Sequence, residues 1–427
     1  MWQVCKPLRC FNLFRGGCAA LLVVALLPSA WGAKMTALEQ QHQALAEYDN
    51  QLSTDPLWSE RISVSFGKRF IKLQTIQSGN VVYSIDWRGA VYALDLDSGE
   101  RLWRKEIGEI VSGGIGGTQQ LLLLGTTEGE VVALDPLNGD EVWRSQLSSE
   151  ILSVPLVAEG RVVVHSNDGY VYGLSASNGE QQWAYQYKVP ALTLRGTSSP
   201  VYSNGLVQVG LDNGKLVALD VRSGSVRWEQ TIAVPEGRSE LQRMVDIDAA
   251  PIQIGDSLYV VSYQGRIAAL DSASGRVIWI RDLSSYSGMV ADNQNLYVSD
   301  ELGHISAINL ASGATIWKQK KLESLQLTRP LVKQNRLIAA AEDGYLYWMD
   351  TDSGELLSRT SVKELAARLR GLEWDLWNDY DRSGLPDFYD EDIGINAAPQ
   401  LLDDGSLLVL DNQGYLTRFT YTGALEK

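Results

Sequence analysis

A thirteen-residue pattern that recurs along the chain constrains its fold more than any other feature. Aligned on tryptophan, it reads VYALDLDSGERLW (91–103), VVALDPLNGDEVW (131–143), VYGLSASNGEQQW (171–183), LVALDVRSGSVRW (216–228), IAALDSASGRVIW (267–279) and ISAINLASGATIW (305–317). LYWMDTDSGELLS (346–358) keeps the pattern with Ser358 in the tryptophan position, and LTRFTYTGALEK (416–427) is a truncated eighth copy. A turn glycine stands before each copy: Gly89, Gly129, Gly169, Gly214, Gly265, Gly303, Gly344 and Gly414. The first two tryptophan spacings are 40 residues each, the period of a four-stranded propeller blade.

Within the fourth copy, VYS (201–203), LVQVGL (206–211), KLVALD (215–220) and SVRWEQTI (225–232) are apolar or alternating runs of strand length. Asn204-Gly205, Asn213-Gly214 and Ser223-Gly224 separate them, dipeptides that accept the positive φ of tight turns. One twisted four-stranded sheet cannot bury both faces alone, so neighbouring sheets must pack in a ring. The fold class expected is all-β: an eight-bladed β-propeller of four-stranded antiparallel blades. The recurrent tryptophan fills the space between adjacent sheets. Asp95, Asp135, Asp220 and Asp271 cap their turns. The eighth copy stops before its tryptophan, while an unmatched Trp58 sits in LWSERISVSF (57–66). This N-terminal strand is expected to supply the outer strand of the last blade and so close the ring.

The first 32 residues read as a secretory signal peptide. Lys6, Arg9 and Arg15 precede an apolar run, Cys18–Leu27, then Pro28 and small residues that place cleavage after Gly32. The run is about half of the roughly 20 residues a spanning helix needs. Cys18 lies before the apolar run, where a lipid-attachment cysteine should follow it, so a lipid anchor is not expected. Cleavage removes all three cysteines and leaves 34 basic against 52 acidic residues. Such a chain uses neither disulfides nor thiolates, and its acidity argues against nucleic acid as a partner. Residues 33–56 read as a mostly polar helix or tether, and 57–427 as the propeller.

Function is expected in three expansions of the repeat, each between the outer strand of one blade and the inner strand of the next, all on one face of the disc. The first, YQYKVPALTLRGTSSP (185–200), carries Leu192, Leu194 and Arg195; the second, AVPEGRSELQRMVDIDAAP (233–251), carries Arg243, Asp246 and Asp248. Arginine beside apolar anchors is typical of protein interfaces, with the carboxylates placed to orient it. The alternative is that the leucines pack under their loop and the charges solvate it. The third, at 363–395, opens as an amphipathic helix (362–377) and continues as NDYDRSGLPDFYDEDIG. Counted from Asp379, oxygen side chains fall at positions 1, 3, 5, 9 and 12 (Asp379, Asp381, Ser383, Asp387 and Asp390), with Gly384 at 6. That is the spacing of a calcium loop with Asp replacing the usual Glu at 12; the alternative is a solvated acidic loop.

The eight-copy repeat, with VPALTLRGTSSP and SELQRMVDIDAAP in consecutive junctions, resembles the BamB family of outer-membrane protein assembly factors. The resemblance covers nearly all of 57–427 apart from the insert. It implies a non-catalytic component of the BAM complex on the periplasmic face of the outer membrane, a monomer within that complex. It further implies docking on the POTRA domains of BamA, contact with other BAM components, and assistance to nascent outer-membrane β-barrel proteins. The family's BamA-binding positions match Leu192, Leu194, Arg195, Asp246 and Asp248. No cofactor is implied beyond the calcium read from the loop. The repeat also resembles PQQ-dependent dehydrogenases, but those enzymes use an adjacent cysteine pair that the exported chain lacks. His42, His165 and His304 are scattered, without metal spacing or a nucleophile partner. A periplasmic scaffold or sensor unrelated to BAM is the remaining alternative. Exposed outer strands would also offer β-augmentation to client strands.

Overall fold

The computed structural model describes residues 44, 45, 50–63, 73–369 and 394–423. The signal peptide, most of the expected tether and the aspartate loop at 379–390 lie outside these residues. Within them, eight four-stranded antiparallel sheets follow one another along the chain at 76–106, 111–146, 156–186, 201–231, 252–282, 289–319, 331–361 and 400–422. Seven are simple meanders. The eighth takes three strands from 400–422 and its outermost strand from Ser53–Arg61, which pairs with Tyr415–Thr422 from Ser53↔Thr422 to Arg61↔Tyr415. The ring is therefore closed by the N-terminal strand, which begins four residues earlier than the sequence suggested.

The repeated tryptophan holds one blade to the next. Trp58, Trp103, Trp143, Trp183, Trp228, Trp279 and Trp317 each donate their indole N–H to a backbone carbonyl in the outer turn of the following blade, at 2.8–3.1 Å. The ring lies against that turn's glycine. A Cβ added at Gly224 would come within 2.6 Å of Trp183, and Gly224 also takes φ +70°, so only glycine fits. Opposite six of these tryptophans, within their own blades, stands a small residue, as in Ala93↔Trp103, Gly173↔Trp183 and Ala218↔Trp228, whereas Trp58 faces Arg418. The aspartates cap as expected: Ser98, Ser223 and Ser274 donate to Asp95, Asp220 and Asp271 and hold those carboxyls below their usual range.

The seventh blade differs in an informative way. Its outer strand has Ser358 in the tryptophan position, and directly opposite, where the first six blades have Ala or Gly, stands Trp348. Large and small have changed places. Trp348 is fully buried, donates to Thr360 Oγ1 at 3.0 Å and packs on Tyr421 of the eighth blade, ring centres 4.6 Å apart. The helix expected from 362 is present over Val362–Leu369, burying Val362, Leu365 and Ala366; its expected continuation lies outside the described residues. None of the helices among the described residues is long and apolar enough to cross a membrane.

Candidate functional site

The connectors between outer and inner strands share a face with the turns that carry the leading glycines, and the two are in contact. At Gly214, for example, a Cβ would come within 2.5 Å of the Ala233 carbonyl. Tight turns thus form the floor on which the connectors rest. The expanded connectors flank the fourth blade, after Gln186 and after Thr231.

Hydrogen bonds and packing bind these two connectors to each other. The Leu194 amide donates to the Asp246 carboxylate, and Ser198 Oγ donates to the Ala249 carbonyl at 3.1 Å. Gly196 lies flat on Asp248, where a Cβ would stand 2.9 Å from its carboxyl group. A third, unexpanded connector joins them: the Val154 amide donates to Ser199 Oγ at 2.9 Å, and Glu150 receives the Arg195 guanidinium at 2.5 Å. The outward surface of this three-connector platform carries Leu192, 42% exposed, and the exposed Arg195.

Two features of the sequence reading need correction. Asp246 and Asp248 are buried, at 1% and 7% exposure, so they act beneath the platform and not on its surface. Nor do they orient Arg195, which is held by Glu150. Leu194 is half-buried, with its amide turned towards Asp246. Arg243 ends a short 3-10 turn, Leu241–Arg243, and pairs with Glu240 at 3.5 Å instead of with either aspartate. Glu150 was missed because nothing in the length or composition of its connector marks it.

Under the platform lies a buried polar chain that the sequence did not reveal. His165 Nδ1 meets the Ser198 carbonyl at 3.2 Å, His165 Nε2 meets the Tyr187 hydroxyl at 2.9 Å, and that hydroxyl lies 3.0 Å from Asp212 Oδ2. Burial, with Asp248 nearby, pushes the Asp212 carboxyl up to about 7. Burial also pushes Asp246 up to about 7, against the pull of the Leu194 amide and with the help of Asp248 and Asp212. The same burial lowers His165 to about 4 and raises Tyr187 well above its ordinary value. Among the described residues, no group of three or more His, Cys, Asp or Glu could hold a metal ion. The candidate calcium ligands Asp379, Asp381, Ser383, Asp387 and Asp390 lie outside those residues.

Comparison with known proteins points one way. Residues 88–319 match the family model for outer membrane protein assembly factor BamB. The chain is 43% identical over 360 residues to the protein of that name from Pseudomonas aeruginosa, covering 84% of this chain and 94% of the relative. It is 44% identical over 345 residues to the one from Alkalilimnicola ehrlichii, covering 81% and 88%. The crystal structure of BamB from Moraxella catarrhalis superposes with TM-score 0.73 at 22% identity, covering 86% of this chain and all of that one. Quinohemoprotein alcohol dehydrogenase from Comamonas testosteroni superposes with TM-score 0.64 at 14% identity over 87% of this chain and 76% of that one, a likeness of fold alone.

Proposed function

From the premise that this chain belongs to the BamB family of outer membrane protein assembly factors, we propose that it serves outer-membrane protein assembly by docking, without catalysis, on the POTRA domains of BamA. The observation that carries the docking reading is the platform itself. Leu192 and Arg195 stand exposed on a loop whose base is fixed by two other connectors, so a partner meets them with little ordering left to do. The Arg195–Glu150 pair sets the guanidinium in place for a carboxylate on the partner. Clients would meet the disc's rim, where outer strands leave an open edge and expose Leu102, Val142, Ile278 and Ile316. Export to the periplasm, one copy per complex and the absence of a cofactor belong to the same reading.

Capture of the purified chain by immobilised BamA POTRA domains tests it. Leu192→Ala and Arg195→Glu are each expected to weaken capture by about 30-fold or more, the loss of a hot spot worth about 2 kcal/mol, with circular dichroism unchanged. Capture that survives both changes removes the site; wild type that is not captured removes the partner. The aspartate loop at 379–390 is proposed as a calcium site on its spacing alone. Calorimetry with calcium at about millimolar concentration is expected to show heat that Asp379→Ala abolishes, and a silent wild type ends that proposal.

A further inference from the structure

The buried chain under the platform can be read by counting protons. The Ser198 carbonyl only accepts, so His165 Nδ1 carries a hydrogen. Two contacts remain, Nε2 to the Tyr187 hydroxyl and that hydroxyl to Asp212 Oδ2. Each needs a proton between its atoms, and Tyr187 brings only one. The second must sit on Nε2 or on Asp212. Burial keeps the imidazole neutral, its pKa lowered to about 4, which leaves the Asp212 carboxyl as the site. The surroundings agree. Asp212 Oδ1 and Asp246 Oδ1 are buried without a hydrogen-bond partner among the described residues, a cost far greater for a charged carboxylate than for a neutral acid.

The charged and titratable neighbours give no counterweight. From the third blade come His165 and, acting on the imidazole, Asp168; from the start of the first expanded connector comes Tyr187; from the turn of the fourth blade comes Asp212; from the second expanded connector come Asp246 and Asp248. Among the described residues, no lysine or arginine contributes to the shifts of Asp212, Asp246 or His165.

We infer that Asp212, which lies on neither expanded connector, is a positioning residue for the docking face, and that it holds the two connectors in place only while it keeps a proton. The link is physical. His165 holds the first connector through the Ser198 carbonyl, and Ser198 in turn holds Ala249 of the second. Losing the proton breaks one of the two hydrogen bonds through Tyr187 and adds a negative charge beside Asp246 and Asp248, which carry the same connectors at Leu194 and Gly196. The platform then loosens and Leu192 and Arg195 lose their fixed spacing. Partner capture therefore weakens as pH rises through neutrality.

This inference rests on the docking reading, so its test has one arm that needs no partner. In the first arm, capture by BamA POTRA domains is measured from pH 6 to 8.5. Wild type is expected to weaken by up to about tenfold per pH unit above 7 for one linked proton. Asp212→Asn, whose amide donates to Tyr187 at every pH as the protonated acid does, is expected to flatten that slope and outbind wild type at pH 8.5. Asp212→Ala, unable to hold Tyr187, is expected to bind weakly throughout. The second arm records the infrared carbonyl stretch of protonated carboxyl groups in the isolated chain at pH 6. Part of the band is expected to vanish in Asp212→Asn and to titrate near neutrality in wild type. An Asp212→Asn profile parallel to wild type, or an infrared band indifferent to the substitution, overturns the inference. If wild type is not captured at any pH, the docking reading fails and the infrared arm alone decides whether Asp212 holds the proton.

Discussion

Trp58→Ala is expected to lower the unfolding free energy by about 3–5 kcal/mol, the usual cost of removing a buried aromatic side chain. Trp58 is 6% exposed, donates to the Leu96 carbonyl at 2.8 Å and lies against Gly99 of the first blade. Its neighbour across the pair is Arg418, whose buried guanidinium also reaches the Leu96 carbonyl and binds Asp404 and Ser406 Oγ. Other tryptophans stand on strands that a turn joins to their own sheet, whereas the Trp58 strand, which runs on along the chain towards the first blade, is held to its own sheet only by hydrogen bonds and packing. Typical domains are stable by about 5–15 kcal/mol, so this one contact decides much of the total. Denaturant unfolding should therefore show a larger loss for Trp58→Ala than for Trp279→Ala, a tryptophan of similar burial on a strand that a turn joins to its own sheet. Hydrogen exchange should locate the added opening in Ser53–Arg61 and Tyr415–Thr422 together. A loss below about 1 kcal/mol would mean that the ring does not depend on this closure.

Much of that closure is legible in the sequence, because propeller architecture repeats and each repeat shows the same physical requirements. A tryptophan, a small residue opposite it and a glycine in the turn it meets recur in register, and an unpaired Trp58 at one end answers a copy cut short at the other. The lengths of the connectors also marked the two that flank the fourth blade and bond to each other. Three-dimensional proximity is what a repeat pattern does not encode. Glu150 and Asp212 sit in segments of ordinary length, and they matter because Arg195 and Tyr187 reach them from the first expanded connector. Asp246 and Asp248 read as surface charges because carboxylates are rarely buried. The structure buries them by giving Asp246 an amide donor and setting Gly196 against Asp248. Trp348 is a different case. It stands where the first six copies have Ala or Gly, so the exchange with Ser358 was present in the alignment but only visible once two columns were read together.

The exchange at the seventh blade leads to a second large effect. Trp348→Ala is expected to cost about 3–5 kcal/mol, since it empties a fully buried site and removes the packing on Tyr421. Adding Ser358→Trp in the same chain restores the repeat pattern on paper but is not expected to restore stability. A tryptophan on the outer strand needs a turn in the next blade, with a carbonyl to accept its N–H and a glycine to lie against. In the eighth blade that turn does not exist, because its outer two strands come from opposite ends of the chain. The space is taken by the incoming N-terminal segment: Asn50 Oδ1 accepts from Ser358 Oγ at 2.9 Å and from the Arg359 amide at 2.8 Å, and Leu52 abuts Gly423. An indole at 358 would push Asn50 out and find no acceptor, so the double variant should be no more stable than Trp348→Ala alone. Denaturant unfolding of the two single variants and the double one forms the required cycle. Recovery to within about 1 kcal/mol of wild type would show that the two positions are interchangeable; without it, the seventh blade carries its tryptophan on the inner of the two strands because the ring closes next to it.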